Sequence, residues 1–252
     1  MGSREPGTGA GTAAAPVDAD AGTARTAPAP AARQAAPLRL AVLASGRGSN
    51  LQAILDAIAT GSLNATLAGV FSDRGRAAAL QRARDAGVHA QALSPRGFES
   101  RAQFDQALFQ AVDAVAPDLI VCAGYMRLID GAVVDARRGR VINIHPSLLP
   151  AFKGLHTHQQ ALDAMATEHG ASVHFVTADL DGGPVIAQAR VPVHPGDDAD
   201  ALAARVLERE HPLLVETLRR FAAGRIVLAE DVVHIDGVAS APLQLAANLR
   251  FP

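Results

Sequence analysis

The 252-residue sequence lacks several features that whole classes of protein depend on. It has one cysteine, Cys122, so an internal disulfide is impossible, and the apolar residues around Cys122 favour a buried, reduced thiol. No apolar run approaches the ~18 residues of a membrane-spanning helix. Lysine occurs once, as Lys153, and the formal net charge is only -2. We therefore expect no membrane partner and no nucleic-acid partner.

The first 37 residues differ in composition from the rest of the chain. They are mostly Ala, Pro, Gly and Thr without apolar periodicity, which predicts a disordered, low-complexity extension over residues 1–37. This segment has no continuous apolar stretch of the kind found in secretory signals, and its acidic residues argue against a transit peptide. We therefore expect a cytoplasmic protein.

From Leu38 onward, short aliphatic runs alternate with helical patterns. Strands separated by helices predict βαβ units and a mainly parallel sheet. Two later runs, separated only by an acidic turn, favour an antiparallel pair. The predicted strands are 38–44, 66–72, 89–93, 118–123, a strand that leads to Asn143, 172–176 and 185–193, and the predicted helices include 77–86, 101–115 and 200–221.

These elements predict one three-layer α/β domain over residues 38–237. Its sheet is expected to be twisted, mixed but mostly parallel, with about seven strands, helices on both faces and a Rossmann-like N-terminal half. Two short runs, 226–228 and 232–235, predict a terminal hairpin, with Asp236 and Gly237 as a turn signal. Residues 238–252 are expected to form a C-terminal tail beyond the domain.

Polar residues appear where the strand beginning at Val141 ends. Asn143 and His145 share one face because side chains alternate along a strand, and Pro146 stops the strand. Open α/β sheets bind ligands at this edge. An acidic turn at 179–184 (DLDGGP) offers a carboxylate, Asp181.

Together these three side chains suit acyl transfer. Asn143 and a protonated His145 would stabilise an oxyanion, while Asp181 would favour the imidazolium and accept the proton that an attacking amine loses. The alternative is that Asp181 only caps its turn, since aspartate is a favoured turn residue.

A glycine-rich turn, residues 45–50 (SGRGSN), connects the first strand to a helix. This arrangement presents backbone N–H groups and the positive end of a helix dipole to a phosphate. The third glycine of a dinucleotide fingerprint would fall on Leu51, so a phosphate monoester held by Gly48, Ser49 and Asn50 fits better. An ordinary tight turn is the alternative.

Five histidines between positions 145 and 174 raise a metal hypothesis. None of their spacings resembles H-E-x-x-H, and the sole cysteine lies far away in a strand, so we expect no metal. Ser147 lies in no G-x-S-x-G elbow, which argues against a serine hydrolase. His174 is expected to be a core residue or a support for the site residues.

Six motifs in this order resemble the phosphoribosylglycinamide formyltransferases, a folate-dependent family of purine synthesis. The motifs are 45–51 (SGRGSNL), 123–127 (AGYMR), 143–150 (NIHPSLLP), 154–158 (GLHTH), 169–176 (HGASVHFV) and 181–186 (DGGPVI). The resemblance covers residues 38–237 and implies the formyltransferase fold. It also implies that the formyl group of 10-formyltetrahydrofolate is transferred to the amine of 5'-phosphoribosylglycinamide without a metal. A monomer and a weak homodimer both stay open.

The resemblance implies roles for individual residues. The catalytic residues of the family fall on Asn143, His145 and Asp181. The ribonucleotide side falls on Arg47, Gly48, Ser49, Asn50 and Glu210, with His211 beside Glu210. The folate side falls on Arg101, Met126, Arg127, Leu128, Ile129, Asn143, Val176 and Asp181. For Arg101 and Arg127, a solvated surface arginine is the alternative.

Three competing interpretations share parts of this pattern. Formyltetrahydrofolate deformylase resembles the same core, but it has a structured N-terminal regulatory domain, which we do not expect in residues 1–37. Methionyl-tRNA formyltransferase carries an additional C-terminal nucleic-acid-binding domain, for which we expect too little chain after Gly237. A non-catalytic nucleotide-binding module is the third, and the intact set of catalytic residues argues against it.

Overall fold

The computed structural model describes residues 36–252 together with Met1, so the predicted disordered extension lies almost wholly outside the described residues. The strands are β1 (Leu38–Leu43), β2 (Ala65–Ser72), β3 (Ala90–Ala92), β4 (Leu119–Cys122), β5 (Val141–His145), β6 (Glu168–Phe175), β7 (Val185–Pro192), β8 (Ile226–Ala229), β9 (Val232–Ile235), β10 (Val238–Ala239) and β11 (Leu243–Gln244). The helices are α1 (Ser49–Ala59), α2 (Ala78–Asp85), α3 (Arg101–Ala114), α4 (Gly131–Asp135), α5 (Thr157–Asp163) and α6 (Ala199–Ala222), with a 3-10 turn at Pro95–Gly97.

Eight of these strands form one mixed sheet in the order β11-β7-β6-β5-β4-β1-β2-β3. Strand β6 is antiparallel to both of its neighbours, β5 and β7, and the other neighbouring pairs are parallel. The order β3-β2-β1-β4-β5 reverses direction between β1 and β4, as in a Rossmann half, and such a reversal opens a crevice at the carboxyl ends of the strands. The predicted mostly parallel α/β sheet is confirmed.

Helices cover both faces of this sheet, and its strands are therefore buried on both sides. On one face, Leu51 of α1, Leu80 of α2 and Leu202 of α6 belong to one apolar cluster. On the other face, Phe104 of α3 and Val134 of α4 belong to a second cluster. The predicted three-layer arrangement is therefore present. Within the described residues, no helix combines the length and the apolar character needed to cross a membrane.

The C-terminal part differs from the sequence prediction. The predicted hairpin forms between β8 and β9, but Asp236 and Gly237 make the next turn, so that β10 adds a third strand to a small separate sheet. Residues 238–252 are not a tail beyond the domain. Strand β11 pairs with β7 as the eighth strand of the main sheet, and Leu245 and Phe251 are buried in its core. Strands of two residues, such as β10 and β11, are too short to show a periodicity, so the sequence pattern did not predict them.

Gly48 fixes the start of α1. Its φ is +74°, and a Cβ on this residue would lie 2.8 Å from both Cα and Cβ of Ala79 in α2. Gly48 is the N-cap of this helix, and no side chain caps it. The turn needs glycine both for its left-handed backbone and for the close approach of α2.

Replacing Gly48 by alanine is expected to lower the free energy of unfolding by about 2–4 kcal/mol, the sum of backbone strain and overlap with Ala79. Gly61 is a matched control, because its φ is +68° but no atom lies within 4 Å of the position that an added methyl group would take. Gly61→Ala should cost only the strain, about 1–2 kcal/mol. Urea unfolding measures both variants, and equal losses would contradict the steric argument.

Candidate active site

Strand β5 places two of the predicted site residues at the edge of the sheet. Asn143 pairs with Cys122 of β4 on one side and stands opposite His174 of β6 on the other. His145, two residues further on, is 5% exposed. Asn143 and His145 therefore project from the same face at the carboxyl end of β5, as the alternation of the strand predicts.

Asp181 reaches the same place from the turn between β6 and β7. Its backbone has a φ of +45°, and its Oδ2 accepts a hydrogen bond from the N–H of Gly154 at 2.9 Å. Oδ2 also lies 3.5 Å from Nδ1 of His145, and Oδ1 lies 3.6 Å from Nε2 of His174. The carboxylate thus stands between two imidazoles, and the interpretation of Asp181 as a mere turn cap does not describe these contacts.

The hydrogen bonds assign the protons of the two imidazoles. His174 Nδ1 donates to the carbonyl of Phe175 at 2.9 Å, so in the neutral ring Nε2 accepts from the side-chain amide of Asn143 at 3.1 Å. His145 Nε2 donates to the carbonyl of Phe152 at 3.1 Å, which turns Nδ1 toward Asp181. The amide of Asn143 keeps a second N–H that is not used by His174.

Burial and neighbouring charge act in opposite directions on these groups. Burial lowers the pKa of His145, and this effect outweighs the opposing effects of the Phe152 carbonyl and Asp181. Burial raises the pKa of Asp181, but His174, the N–H of Gly154 and His145 together bring it below its usual value. The free site therefore holds an ionised Asp181 beside a neutral His145 at pH 7. Asp181 favours the imidazolium, as predicted from the sequence, but the burial of His145 has the larger effect on its pKa.

A cavity of about 630 Å³ opens beside these three residues. Apolar side chains from the segment after β4 and from the end of β6 form much of its wall, and Asn143, His145, His174 and Asp181 stand at one part of it. All but one of the predicted folate residues line it: Met126, Arg127, Leu128, Ile129, Asn143, Val176 and Asp181. Residues 154–158, which lead from the loop after β5 into the start of α5, line it as well.

The two predicted folate arginines lie in different surroundings. Arg101 is exposed at the first position of α3 and does not line the cavity. Arg127 lines the cavity, its guanidinium carbon lies 5.1 Å from the ring centre of Phe104, and its buried Nε has no partner among the described residues. The solvated-surface alternative therefore describes Arg101 and not Arg127.

The predicted ribonucleotide residues gather apart from the cavity, around the start of α1. Asn50 Nδ2 donates to Glu210 Oε1 of α6 at 2.7 Å. Burial raises the pKa of Glu210, with the Asn50 bond opposing that shift. Two buried acceptor or donor atoms, Asn50 Oδ1 and His211 Nε2, have no partner among the described residues. The backbone carbonyl of Arg47 accepts from Arg82.

Sequence patterns did not reveal several groups that hold the site together. His174 was expected only as a core or supporting residue, and its contact with Asn143 depends on the β5–β6 register. The carbonyl of Phe152 and the N–H of Gly154 are backbone groups, which any residue type supplies, so no side-chain pattern identifies them. Among the described residues, no group of three or more His, Cys, Asp or Glu side chains could hold a metal ion.

His169 gives the protein an acid-sensitive element next to this site. The ring is fully buried in β6, its Nε2 lies 3.1 Å from Nδ1 of His158, and burial lowers its pKa to about 4. Between the ordinary histidine value of about 6.5 and this lowered value, the unfolded chain binds a proton that the folded chain does not. The neutral ring thus favours folding above pH 6.5, and this contribution is lost as the pH falls.

We expect the free energy of unfolding to drop by on the order of 3 kcal/mol through His169 as the pH falls from 6.5 toward 4. Lowered pKa values of His145 and His158 act with the same sign. Urea unfolding at a series of pH values should show a shallower slope for His169→Gln than for the wild type. A His169→Gln variant with the wild-type slope would contradict the assignment.

The sheet, the cavity at the edge of β5 and the amide, imidazole and carboxylate beside it define an enzyme of the formyl transferase class. A family model described as "Formyl transferase" matches residues 38–218, and the chain belongs to this family. The resemblance seen in the sequence motifs is therefore confirmed.

The chain is also similar to individual proteins of known structure or function. The chain is 47% identical over 211 residues to the phosphoribosylglycinamide formyltransferase of Escherichia coli (strain K12), covering 84% of this chain and 100% of that protein. The solved phosphoribosylglycinamide formyltransferase of Coxiella burnetii, in complex with CHES, superposes with a TM-score of 0.79 at 46% identity, covering 81% of this chain and 96% of the other. A formyltetrahydrofolate deformylase from Burkholderia mallei ATCC 23344 reaches a TM-score of 0.72 at 26% identity, with 79% and 70% covered. Among these three, the two transferases are the more similar in sequence.

Proposed function

We propose that the protein transfers the formyl group of 10-formyltetrahydrofolate to the amine of 5'-phosphoribosylglycinamide. The products are formylglycinamide ribonucleotide and tetrahydrofolate, in de novo purine biosynthesis. The observation that carries this proposal is the meeting of Asn143, His145 and Asp181 at one part of the 630 Å³ cavity. The choice of substrates is supported by the 47% identity to the phosphoribosylglycinamide formyltransferase of Escherichia coli (strain K12), which extends over the full length of that protein.

The cavity suits a reduced folate in size and chemistry. Ligand cavities of drug-sized molecules run from about 300 to 1,000 Å³ and are mostly apolar with a few placed polar groups. Met126, Leu128, Ile129 and Val176 offer apolar contact for a flat ring system, and Asn143 and Asp181 supply polar atoms. When it is bound, the folate supplies the formyl carbon that the amine attacks.

The three catalytic residues would divide the work of that attack. Negative charge grows on the formyl oxygen, and the free N–H of the Asn143 amide is the donor that would meet it. This same charge raises the affinity of the neighbouring His145 for a proton and so opposes the effect of burial. Asp181, ionised in the free site, would accept the proton that leaves the attacking nitrogen, directly or through a water. The bond between the formyl carbon and the folate nitrogen would then break, and that nitrogen would take up the same proton, so that tetrahydrofolate leaves and Asp181 is ionised again.

The ribonucleotide would lie on the side of α1. No side chain caps the first N–H groups of this helix after Gly48. A phosphate bound there would accept hydrogen bonds from them. Arg47, Ser49 and Asn50 flank this position. Glu210, held against Asn50 and largely buried, would accept hydrogen bonds from the hydroxyl groups of the sugar.

The proposed reaction is tested by incubating the purified protein with a 10-formyl folate, with and without 5'-phosphoribosylglycinamide, and following folate absorbance. Release of free folate that depends on the ribonucleotide is the expected result. Release without the ribonucleotide, together with formate, would identify a deformylase instead. No release in either incubation would support a non-catalytic binding module.

Two further parts of the proposal can be checked with the same preparation, and a third concerns localisation. The protein is proposed to act without a metal, as a monomer or a weak homodimer, in the cytoplasm. Turnover should survive exhaustive dialysis against EDTA, and light scattering should give the mass of one chain or a concentration-dependent mixture of one and two. Activity lost on dialysis and regained with a divalent cation would refute the first statement.

A further inference from the structure

The hydroxyl of Ser45 connects three neighbouring strand ends. Ser45 follows β1 and is 2% exposed, and its Oγ donates to Oδ1 of Asp73 at 2.6 Å. Asp73 follows β2 and is 8% exposed. The same Oγ accepts from the backbone N–H of Met126, in the segment after β4, at 3.0 Å. The carboxyl ends of β2, β1 and β4 are thus tied together at the point where the strand order reverses.

The direction of both hydrogen bonds follows from chemistry. An ionised carboxylate only accepts, so the single proton of the Ser45 hydroxyl is directed to Asp73. The N–H of Met126 therefore donates its hydrogen bond to a lone pair of the Ser45 oxygen. A hydroxyl that donates to a carboxylate is polarised and becomes a better acceptor, so the charge of Asp73 strengthens the bond to Met126.

The segment after β4 needs such support because it has no regular structure of its own. Residues 123–130 contain no helix or strand, and they present exposed apolar side chains, Met126 and Leu128, to the cavity. Ser45 holds one end through the Met126 N–H and through its own N–H to the carbonyl of Gly124 at 2.9 Å. A second buried carboxylate, Asp105 of α3, holds the other end by accepting from Asp130 N–H at 2.8 Å.

We infer that Ser45 and Asp73 form a positioning pair that fixes the folate wall at Met126 and the glycine-rich turn after Ser45 relative to each other. This inference rests on the proposed function. Neither residue lines the cavity, and the catalytic side chains stand on β5 and on the turn before β7. Loss of the pair should therefore weaken the binding of both substrates and leave the chemical step almost unchanged.

The first test measures kcat and both KM values for Ser45→Ala. We expect the KM for the 10-formyl folate and the KM for the ribonucleotide each to rise about tenfold, the usual scale for a lost buried hydrogen bond to a charged group. The value of kcat should stay within about twofold of the wild type. Asp105→Leu is the matched comparison, because it removes the acceptor for the Asp130 N–H at the other end of the same segment. Asp105 does not contact the glycine-rich turn, so only the folate KM should rise.

A second set of variants separates the pair from a general loss of packing. Asp73→Asn keeps an oxygen that can accept from Ser45, so both KM values should stay close to those of the wild type. Asp73→Leu removes the acceptor and should reproduce Ser45→Ala. Adding Ser45→Ala to Asp73→Leu should cause little further change, since both substitutions break the same chain of bonds.

Each outcome decides between the alternatives. If the wild type shows no ribonucleotide-dependent turnover, the proposed function fails. If the wild type turns over but Ser45→Ala raises only one of the two KM values, the positioning role is refuted and the proposed function stands. The same holds if Ser45→Ala lowers kcat by as large a factor as it raises the KM values. If Ser45→Ala does not fold, the comparison of Asp73→Asn with Asp73→Leu still decides, and equal KM values for those two would refute the role.

Discussion

Replacing Asp181 by asparagine is expected to lower kcat of the ribonucleotide-dependent transfer by at least about a hundredfold, the scale of a positioned general base. Asparagine has the same shape, and its side-chain oxygen can still accept from the N–H of Gly154, so the turn should keep its form. The substitution removes the negative charge that faces His145 at 3.5 Å and His174 at 3.6 Å. It also removes the carboxylate that we propose accepts the proton of the amine.

The pH dependence sharpens this expectation. The pKa of Asp181 lies below its ordinary value in the folded protein, so the wild-type carboxylate stays ionised at every pH where the enzyme is assayed. The loss in Asp181→Asn should therefore be nearly constant between about pH 6 and 9. Asp135→Asn, an exposed carboxylate on α4, makes the same chemical change away from the site and should keep wild-type turnover. Near wild-type kinetics in Asp181→Asn would remove this residue from the mechanism.

Replacing Asn143 by alanine is expected to lower kcat by about a hundredfold to a thousandfold, the range observed when one oxyanion donor is removed. The Asn143 amide is held in place by His174, whose Nε2 accepts one of its N–H groups at 3.1 Å. That contact directs the amide before substrate binds, so little reorganisation is needed during the reaction. Because the proposed donor would act on charge that develops only in the transition state, the KM values should change much less than kcat.

Single-turnover measurements at saturating substrates give the rate of the chemical step for Asn143→Ala directly. Asn248→Ala is a suitable control, since this exposed amide lies in the C-terminal turn, where it accepts from Arg250 N–H. The control should transfer formyl groups at the wild-type rate. A large rise of KM in Asn143→Ala with unchanged kcat would show that the residue binds substrate and does not stabilise the transition state.

The sequence predicted most regular elements of the main sheet because their signals are local. Aliphatic runs such as that of β1, separated by helical patterns, determine an alternating α/β chain, and the acidic turn between β6 and β7 predicted their antiparallel pairing correctly. The alternation of side chains along β5 also predicted that Asn143 and His145 share one face. Periodicity carries this information because it depends on residues that are adjacent along the chain.

Other features depended on residues far apart in the sequence. Strand β11 exists only because β7 offers an edge, so its two residues gave no signal of their own. The register of β5 against β6 decided that His174, and no other histidine, would orient Asn143. The bonds of Ser45 to Asp73 and Met126 span 28 and 81 positions of the chain.

The sequence by itself determined the kinds of chemical groups at the site and the strand that carries two of them. Only the tertiary structure decided how those groups are charged. Asp181 lies close enough to His145 to favour its protonated form, yet the burial of the ring has the larger effect and lowers the pKa. The sign of that balance depends on how much water surrounds the imidazole, and solvent exposure is a property of the packed fold, which no stretch of sequence records.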